Sequence, residues 1–506
     1  MRGRIRLALS LSALLACASS AQADDLIQVY QRALQNDPLV REAEANRLAA
    51  MEAKPRALSG LLPAFDANGS MGKRESDGSR TIAQVNPLNG EVRNVAALTE
   101  SEDDFMQYQL QLVQPVFRWD RWMTLKQASS QVAQAEADYQ AAQLDLMLRV
   151  SQRYFDVLAA RDTLQSEETA RDAIARQLEQ AEKRFEVGLI AITDVQEARA
   201  AHDNGSAAVI LAKRNLATAI ELLRELTGET VDVFAAPTDT MPLMIPAPAN
   251  EQQWVDTAME QNLALISSRL AAEIARDTIS IRRGGHLPSI DIVATRGNTD
   301  SEGTDINTVP DPQSGLPVVS SSPSDSDITQ DQVALQVFFP IYSGGAVRSS
   351  VREAVYLHRA ARERLERTTR ETERQTRDAY LGVLAEVSRV QALKQARESS
   401  RTALQATEAG YEVGTRTAVD VLVARRTLAQ AETNYARSRY DYLVNIVRLK
   451  QAAGILGVKD IEEINGWLKV PTAVPRPGQL EGQPPGATPE QPPRTTQTTP
   501  TTQAGS

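Results

Sequence analysis

Phe185-Glu186-Val187-Gly188-Leu189-Ile190-Ala191-Ile192-Thr193-Asp194-Val195 is the stretch that decides the fold, because the chain contains a second version of it. Tyr411-Glu412-Val413-Gly414-Thr415-Arg416-Thr417-Ala418-Val419-Asp420-Val421 lies 226 positions further on. Working outward, Pro63 and Pro115 recur as Pro288 and Pro340, displaced by 225. One inserted residue separates the two registers. Repeats of 20–50 residues would indicate a solenoid; a repeat of this length indicates two homologous halves, 24–245 and 246–470.

Each quoted stretch joins two helices. Upstream, Leu125, Ala128, Val132, Ala135, Tyr139, Ala142 and Leu146 recur in steps of three and four, which is a coiled-coil seam. No proline or glycine interrupts residues 120–187, so a helix there would be roughly 100 Å long. The second half repeats the pattern over 346–412 through Val347, Val351, Ala354, Ala361 and Leu365, and Gly382 weakens it without ending it. Gly188 and Gly414 suit left-handed helix ends, and Thr193-Asp194-Val195-Gln196 has the spacing of a capping box. Returning helices are expected over 193–227 and 418–453, antiparallel to their predecessors. Each half also opens with helix, 38–58 (Asp37 as cap and Pro38 first) and 251–283.

A second periodicity lies between these helices. Tyr108, Leu110 and Leu112 alternate with Gln107, Gln109 and Gln111; Val333, Leu335 and Val337 alternate with Gln332, Ala334 and Gln336. Strands are expected at 62–72, 105–117, 287–297 and 331–342, with polar connections over 73–104 and 298–330. Two readings fit: a soluble hairpin capping a helical bundle, or outer-membrane barrel strands with one apolar face. Four strands cannot close a barrel, and an open edge in lipid leaves unpaired backbone groups, so a membrane reading requires several copies. Three copies would supply twelve strands around a ring. Phe117, Trp119, Trp122 and Tyr342 stand where strand gives way to helix, either as an interfacial belt or as ordinary packing.

The ends and the composition narrow the function. Arg2, Arg4 and Arg6, the apolar run Leu7–Ala16 and Ala21-Gln22-Ala23 read as a secretory signal over 1–23. Leu14-Leu15-Ala16-Cys17 also resembles a lipoprotein cleavage box, and Cys17 is the single cysteine. Cleavage after Ala23 would leave no thiol for disulfides or metal ligation. With 65 acidic against 55 basic residues and no basic run, nucleic-acid binding is not expected. The histidines His202, His286 and His358 show no metal-ligand spacing and no neighbouring nucleophile, so neither a catalytic site nor a cofactor is expected. Residues 471–506, rich in Pro, Thr, Gln and Gly, read as a disordered tail.

The two turn motifs, Phe185 to Arg199 and Gly410 to Leu422, closely resemble the inter-helix turns of TolC-type outer-membrane efflux and secretion channels. Gly285-His286-Leu287-Pro288 resembles the family's strand start, and Tyr440 to Asn445 its last helix. The resemblance spans 24–468 and implies a mostly α homotrimer: a twelve-stranded outer-membrane barrel continuing into a periplasmic tunnel of antiparallel helices. It implies a passive exit duct of a tripartite efflux pump or type I secretion system in a Gram-negative cell. The implied partners are a periplasmic adaptor (membrane fusion) protein and an inner-membrane transporter of the RND, ABC or MFS type. Residues 228–250 and 455–468 would join a belt around the tunnel. On matching positions, Asp194 would pair with Tyr411 and Arg416 to hold the periplasmic tip shut, and Asp420 would contribute to an acidic pore ring. The best-known members carry a further aspartate where this chain has Val423. Read without the resemblance, Asp194 and Asp420 are helix caps. The rival function is a soluble periplasmic coiled-coil scaffold or adaptor, which accounts for the helices but not for two matched strand pairs.

Overall fold

The computed structural model describes residues 25–475, apart from 232, 239 and 240. The expected signal segment 1–23 and all but the first residues of the expected tail lie outside the described residues. In chain order the helices α1 (Leu26–Asn36), α2 (Pro38–Met51) and α3 (Ala53–Ser59) precede the strands β1 (Ala64–Val85) and β2 (Val92–Phe117). Helices α4 (Trp119–Glu186) and α5 (Ile192–Thr227), strand β3 (Val233–Pro237) and helices α6 (Glu251–Gln261) and α7 (Leu263–Arg283) follow. The second half continues with β4 (Ser289–Pro310), β5 (Pro317–Phe338), α8 (Ala346–Glu412), α9 (Ala418–Ala452), α10 (Val458–Gly466) and β6 (Leu468–Ala473). Among the described residues no helix is long and apolar enough to cross a membrane.

Several elements differ from the sequence expectation. The segment expected as one helix over 251–283 breaks at Asn262, whose side-chain oxygen accepts from the Leu265 N–H at 3.1 Å and caps α7. The segment 38–58 breaks between Met51 and Ala53, and α1 is an additional helix before it. The larger correction concerns the strands. Residues 73–104 and 298–330 are not polar loops: β1 and β2 pair without a break from Ala64↔Val113 to Val85↔Val92. β4 and β5 pair from Ser289↔Phe338 to Pro310↔Pro317. Ser, Asp and Gly are poor strand formers taken singly, so the backbone ladder, not side-chain propensity, carries the pairing this far.

Two turns close these hairpins in the same way. Asn86 N–H donates to Glu91 O, Gly90 N–H to Asn86 O, and Leu88 N–H to Asn86 Oδ1 at 3.0 Å. Asp311 N–H donates to Leu316 O, Gly315 N–H to Asp311 O, and Gln313 N–H to Asp311 Oδ1 at 2.9 Å. Gly90 and Gly315 take φ of 70° and 69°, where a Cβ would be strained. Gln84 Nε2 and Asn86 Nδ2 also donate across to the carbonyls of Pro310 and Pro312, at 2.9 and 3.2 Å, tying the first hairpin's turn to the second's.

The chain forms two compact units, each drawing on both sequence halves. One comprises Glu42–Ala142 and Thr257–Arg374 and holds the four-stranded antiparallel sheet, in the order β1-β2-β4-β5. At the foot of that sheet the Arg118 guanidinium grips the Asp291 carboxylate with two hydrogen bonds, at 3.0 and 2.6 Å. The start of α4 is fixed to α7 by Gln127 Nε2 donating to Ile274 O at 2.9 Å and by Lys126 on buried Asp277 at 3.1 Å.

The other unit comprises the described residues up to Arg41, Gln143–Asp256, and Gln375 onward. Its core gathers Tyr154, Phe155, Leu158, Phe234, Tyr442 and Leu443, all fully buried. β3 and β6 form a two-stranded sheet here, in the region expected to join the belt; β6 takes in residues 471–473, expected from the sequence as the start of a disordered tail, because they pair with β3. Two tyrosines anchor the connecting chain. The Tyr154 hydroxyl accepts from Ala235 N–H at 2.7 Å and donates to Ala235 O at 2.9 Å. The Tyr442 hydroxyl does the same to Met244, at 2.7 and 3.0 Å. Asp37 caps α2 as expected, accepting from Leu39 and Val40 N–H, while Arg149 of α4 binds its other oxygen at 2.7 Å.

Candidate functional site: the inter-helix turns and the one-faced sheet

Both inter-helix turns are Schellman closures. In the first, Gly188 N–H donates to Phe185 O and Leu189 N–H to Arg184 O, both at 2.9 Å. In the second, Gly414 N–H donates to Tyr411 O at 3.1 Å and Thr415 N–H to Gly410 O at 2.8 Å. Gly188 and Gly414 stand at φ of 73° and 78°, as left-handed closing residues require. The turns expose apolar side chains: Val187 is 69%, Leu189 72% and Val413 75% exposed.

The two helix starts that follow are not equivalent. α9 opens with a complete capping box. The Thr417 hydroxyl accepts from Asp420 N–H at 3.2 Å, and Asp420 Oδ2 accepts from the Thr417 N–H at 2.9 Å and from its hydroxyl at 3.0 Å. The backbone and hydroxyl donors of Thr417 hold the Asp420 carboxyl below its ordinary value, with the nearby Arg416 charge adding to this. At the matching place in the first half the N-cap is Ala191, in extended conformation and with no side-chain cap. The expected box at Thr193 is therefore not formed; α5 has already begun at Ile192, and Thr193 lies inside its first turn. Without a hydroxyl at position 191, the Asp194 carboxylate lacks the local partner that Asp420 has.

Within a single chain the structure does not bring Asp194 to Tyr411 or Arg416. The Tyr411 hydroxyl instead accepts from the Arg184 guanidinium at 3.0 Å, and Arg184 also lies 5.2 Å from the Tyr411 ring centre. Arg416 is exposed. Arg184 is the residue the sequence reading missed. It stands one position before Phe185, the residue of the first turn that matches Tyr411. Two further ion pairs brace the hairpins, Arg199–Glu182 at 2.8 Å and Arg425–Glu408 at 2.6 Å.

In the sheet, antiparallel register puts side chains of one face in rows. One such row is Phe65–Leu112–Ala294–Val333, and the matching row of the other face is Asp66–Gln111–Thr295–Gln332. Along β2 the apolar face runs Val116, Leu112, Leu110, Tyr108, Met106, interrupted by Gln114, with Gln111, Gln109 and Gln107 behind it. Phe65, Met71, Val333, Leu335 and Val337 of this face are all exposed in the single chain. Of the expected belt residues, Trp119 donates its indole N–H to Ser280 O at 3.2 Å, Phe117 is half-buried, and Trp122 and Tyr342 are exposed.

A sheet with one polar and one apolar face, in a chain whose helices reach nearly seventy residues, has the elements of an outer-membrane channel. The chain belongs to the outer membrane efflux protein family, whose sequence profile matches residues 29–229 and 254–455, one span in each half. It is 33% identical to Outer membrane protein TolC of Vibrio cholerae, over 92% of this chain and 98% of that protein. It is 35% identical to the Escherichia coli protein of the same name, over 90% and 87% respectively. The Alkaline protease secretion protein AprF of Pseudomonas aeruginosa is 25% identical, over 89% of this chain and 88% of that protein. Among solved structures the CmeC outer membrane channel of Campylobacter jejuni superposes with a TM-score of 0.64 at 18% identity, covering 88% of this chain and 91% of that one. CusC gives 0.66 at 17% identity, covering 85% and 92%. The protein is thus an outer-membrane efflux channel of a Gram-negative cell, mostly helical with a smaller strand part, and not an enzyme. The soluble scaffold or adaptor reading finds no support.

Proposed function

We propose that three copies of this chain pool their four-stranded sheets into one twelve-stranded barrel and act as the passive exit duct of a tripartite pump or type I secretion system. The observation that carries this is the state of the sheet: β1 and β5 are open edges beside an exposed apolar face. Unpaired backbone in hydrocarbon costs several kcal/mol per group, so edge must join edge, and identical copies close most simply as a ring. The signal over 1–23, the two halves 24–245 and 246–470, and a tail that follows strand β6 complete this organisation. The aromatics Phe117, Trp119, Trp122 and Tyr342 form its periplasm-side belt.

The gate lies at the two inter-helix turns. Asp194, left without a capping partner in its own chain, takes Arg416 as a partner, from the same or a neighbouring copy, with Tyr411 alongside. Three copies of Asp420, kept ionised by Thr417, form the acidic ring. Individually such exposed links are weak, so a docked periplasmic adaptor, working with an RND, ABC or MFS transporter of the inner membrane, can release them. The exposed Val187, Leu189 and Val413 support docking at this end.

Membrane fractionation followed by electrophoresis without boiling tests the assembly: a heat-resistant trimer from the outer membrane is expected, and a soluble monomer would refute it. For the gate, the double variant Asp194→Ala/Arg416→Ala in planar bilayers should raise the resting conductance. A resting current equal to the parent's would remove the gate assignment.

A further inference from the structure

The sheet is far longer than a bilayer needs. A transmembrane strand takes roughly 9–11 residues, whereas β1, β4 and β5 each have 22 and β2 has 26. The outward face shows where lipid contact ends. On β1 and β2 the rows Phe65–Leu112, Ala67–Leu110, Gly69–Tyr108 and Met71–Met106 are apolar or aromatic. The next three rows of the same face are Lys73–Asp104, Glu75–Glu102 and Asp77–Glu100. Lys73, 3.4 Å from Glu102 and 3.8 Å from Asp104, is the one cation against five carboxylates in these rows, so this face needs water around it rather than hydrocarbon. From Met106 to Val116 this face of β2 is apolar except at Gln114 and covers the length a bilayer requires, while the β4 residues in the same rows turn polar earlier, at Leu110–Arg296, Tyr108–Asn298 and Met106–Asp300. On β4 and β5 the change comes at Arg296–Asp331, paired at 3.6 Å, and continues with Asp300–Asp327 and Glu302–Asp325.

We infer that the outer half of this sheet, residues 73–104 and 298–330, is a structured collar that carries the duct beyond the lipid, ending at the Asn86 and Asp311 turns. The inference rests on the barrel reading above and adds to it the place where lipid ends and a rigid aqueous wall begins. Register is unbroken through the transition on both hairpins, and β2 and β4 stay paired as far as Leu98↔Thr308. About a dozen residues per strand lie beyond it, and at 3.3 Å per residue with a tilt near 40° they would rise roughly 30 Å. The inner face of the collar is mostly small and polar, with rows such as Ser76–Ser101–Asp305–Ser322 and Gly78–Thr99–Asn307–Ser320. Such a wall keeps emerging cargo out of contact with the headgroup layer. The collar's function is therefore to discharge above the membrane surface rather than at it.

The test uses whole cells expressing the full chain with single cysteines, Ser79→Cys in the collar and Met71→Cys in the lipid band, on a Cys17→Ser background that removes the natural cysteine. The probes are a membrane-impermeant maleimide and trypsin. The collar predicts that the Ser79→Cys variant is labelled, that the Met71→Cys variant is labelled at least tenfold less, and that trypsin leaves the bonds after Arg80 and Arg93 intact. Cleavage after Arg80 in otherwise folded, membrane-bound protein would overturn the collar and restore a loose loop, leaving the channel reading standing. Equal labelling of both variants in a soluble fraction would overturn the channel reading instead.

Discussion

Replacing Ala191 with threonine should loosen the gate by satisfying Asp194 locally. The structure contains its own precedent, because position 191 matches Thr417, whose hydroxyl and N–H hold Asp420 in a capping box. Ala191 already has the extended conformation of a cap residue, with φ −80° and ψ 155°, so threonine fits the backbone as it stands. A side-chain cap stabilises a helix by about 1 kcal/mol. An exposed charge-assisted link contributes about 0.5–1 kcal/mol. The local box therefore competes on equal terms with the proposed link to Arg416. Three links per ring amount to about 1.5–3 kcal/mol, which is roughly a 10- to 150-fold change in the open-to-closed ratio if all are lost. Single-channel recording in planar bilayers would measure the resting open fraction, and thermal unfolding would report the new cap. The reasoning fails if Ala191→Thr stabilises the protein but leaves the open fraction where it was.

The remaining expectations concern other places. Burial pushes the Asp37 carboxyl up, but the Arg149 hydrogen bond and the N–H groups of Val40 and Leu39 outweigh it and leave it lowered. Its contribution is therefore complete above the unfolded carboxylate pKa of about 3.9 and is lost as pH falls through the lower folded value. Arg149→Met should cost about 3 kcal/mol in denaturant unfolding, because it strands a buried carboxylate. Gly188→Ala and Gly414→Ala should each cost about 1 kcal/mol through backbone strain alone, since a Cβ at either place meets nothing within 4 Å; a neutral result in thermal melts would contradict the left-handed closure. Leu112→Arg, in the row Phe65–Leu112–Ala294–Val333, should cost about 2–4 kcal/mol and reduce trimer yield, whereas Gln111→Arg on the opposite face should assemble normally. Val423→Asp should strengthen block by di- and trivalent cations at the acidic ring, measured as the blocking concentration in conductance recordings; unchanged block would count against Asp420 as a ring residue.

Much of this architecture was legible in the residues. The three-four spacing of apolar positions marked α4 and α8, because long helices carry their seam in the sequence. The Tyr108–Leu110–Leu112 alternation marked the apolar face, because a strand's parity is fixed by its pleat. The collar was not legible because its Ser, Asp and Gly residues have low strand propensity and its pairing depends on partners up to about 200 positions away, as in Leu98↔Thr308. The Asn86 and Asp311 turns, each followed four residues later by glycine, were the available signal. The cap was misplaced for a different reason. Thr193 has the spacing of a capping box, but comparison of the two halves points to position 191, where Thr417 has its counterpart. Arg184 could not be found by matching, since its place in the second half is Gly410.

The cross-hairpin bonds at the mouth have one more consequence. Gln84 and Asn86 suture the first hairpin to the second within each chain. By the strand offset of 225, their counterparts in the second hairpin are Val309 and Asp311, and neither side chain can donate a proton to a neighbour's carbonyl. In a ring of three chains the rim would thus alternate between stitched and unstitched joints. Under sideways strain the rim would part at three places rather than six, always where one molecule meets the next.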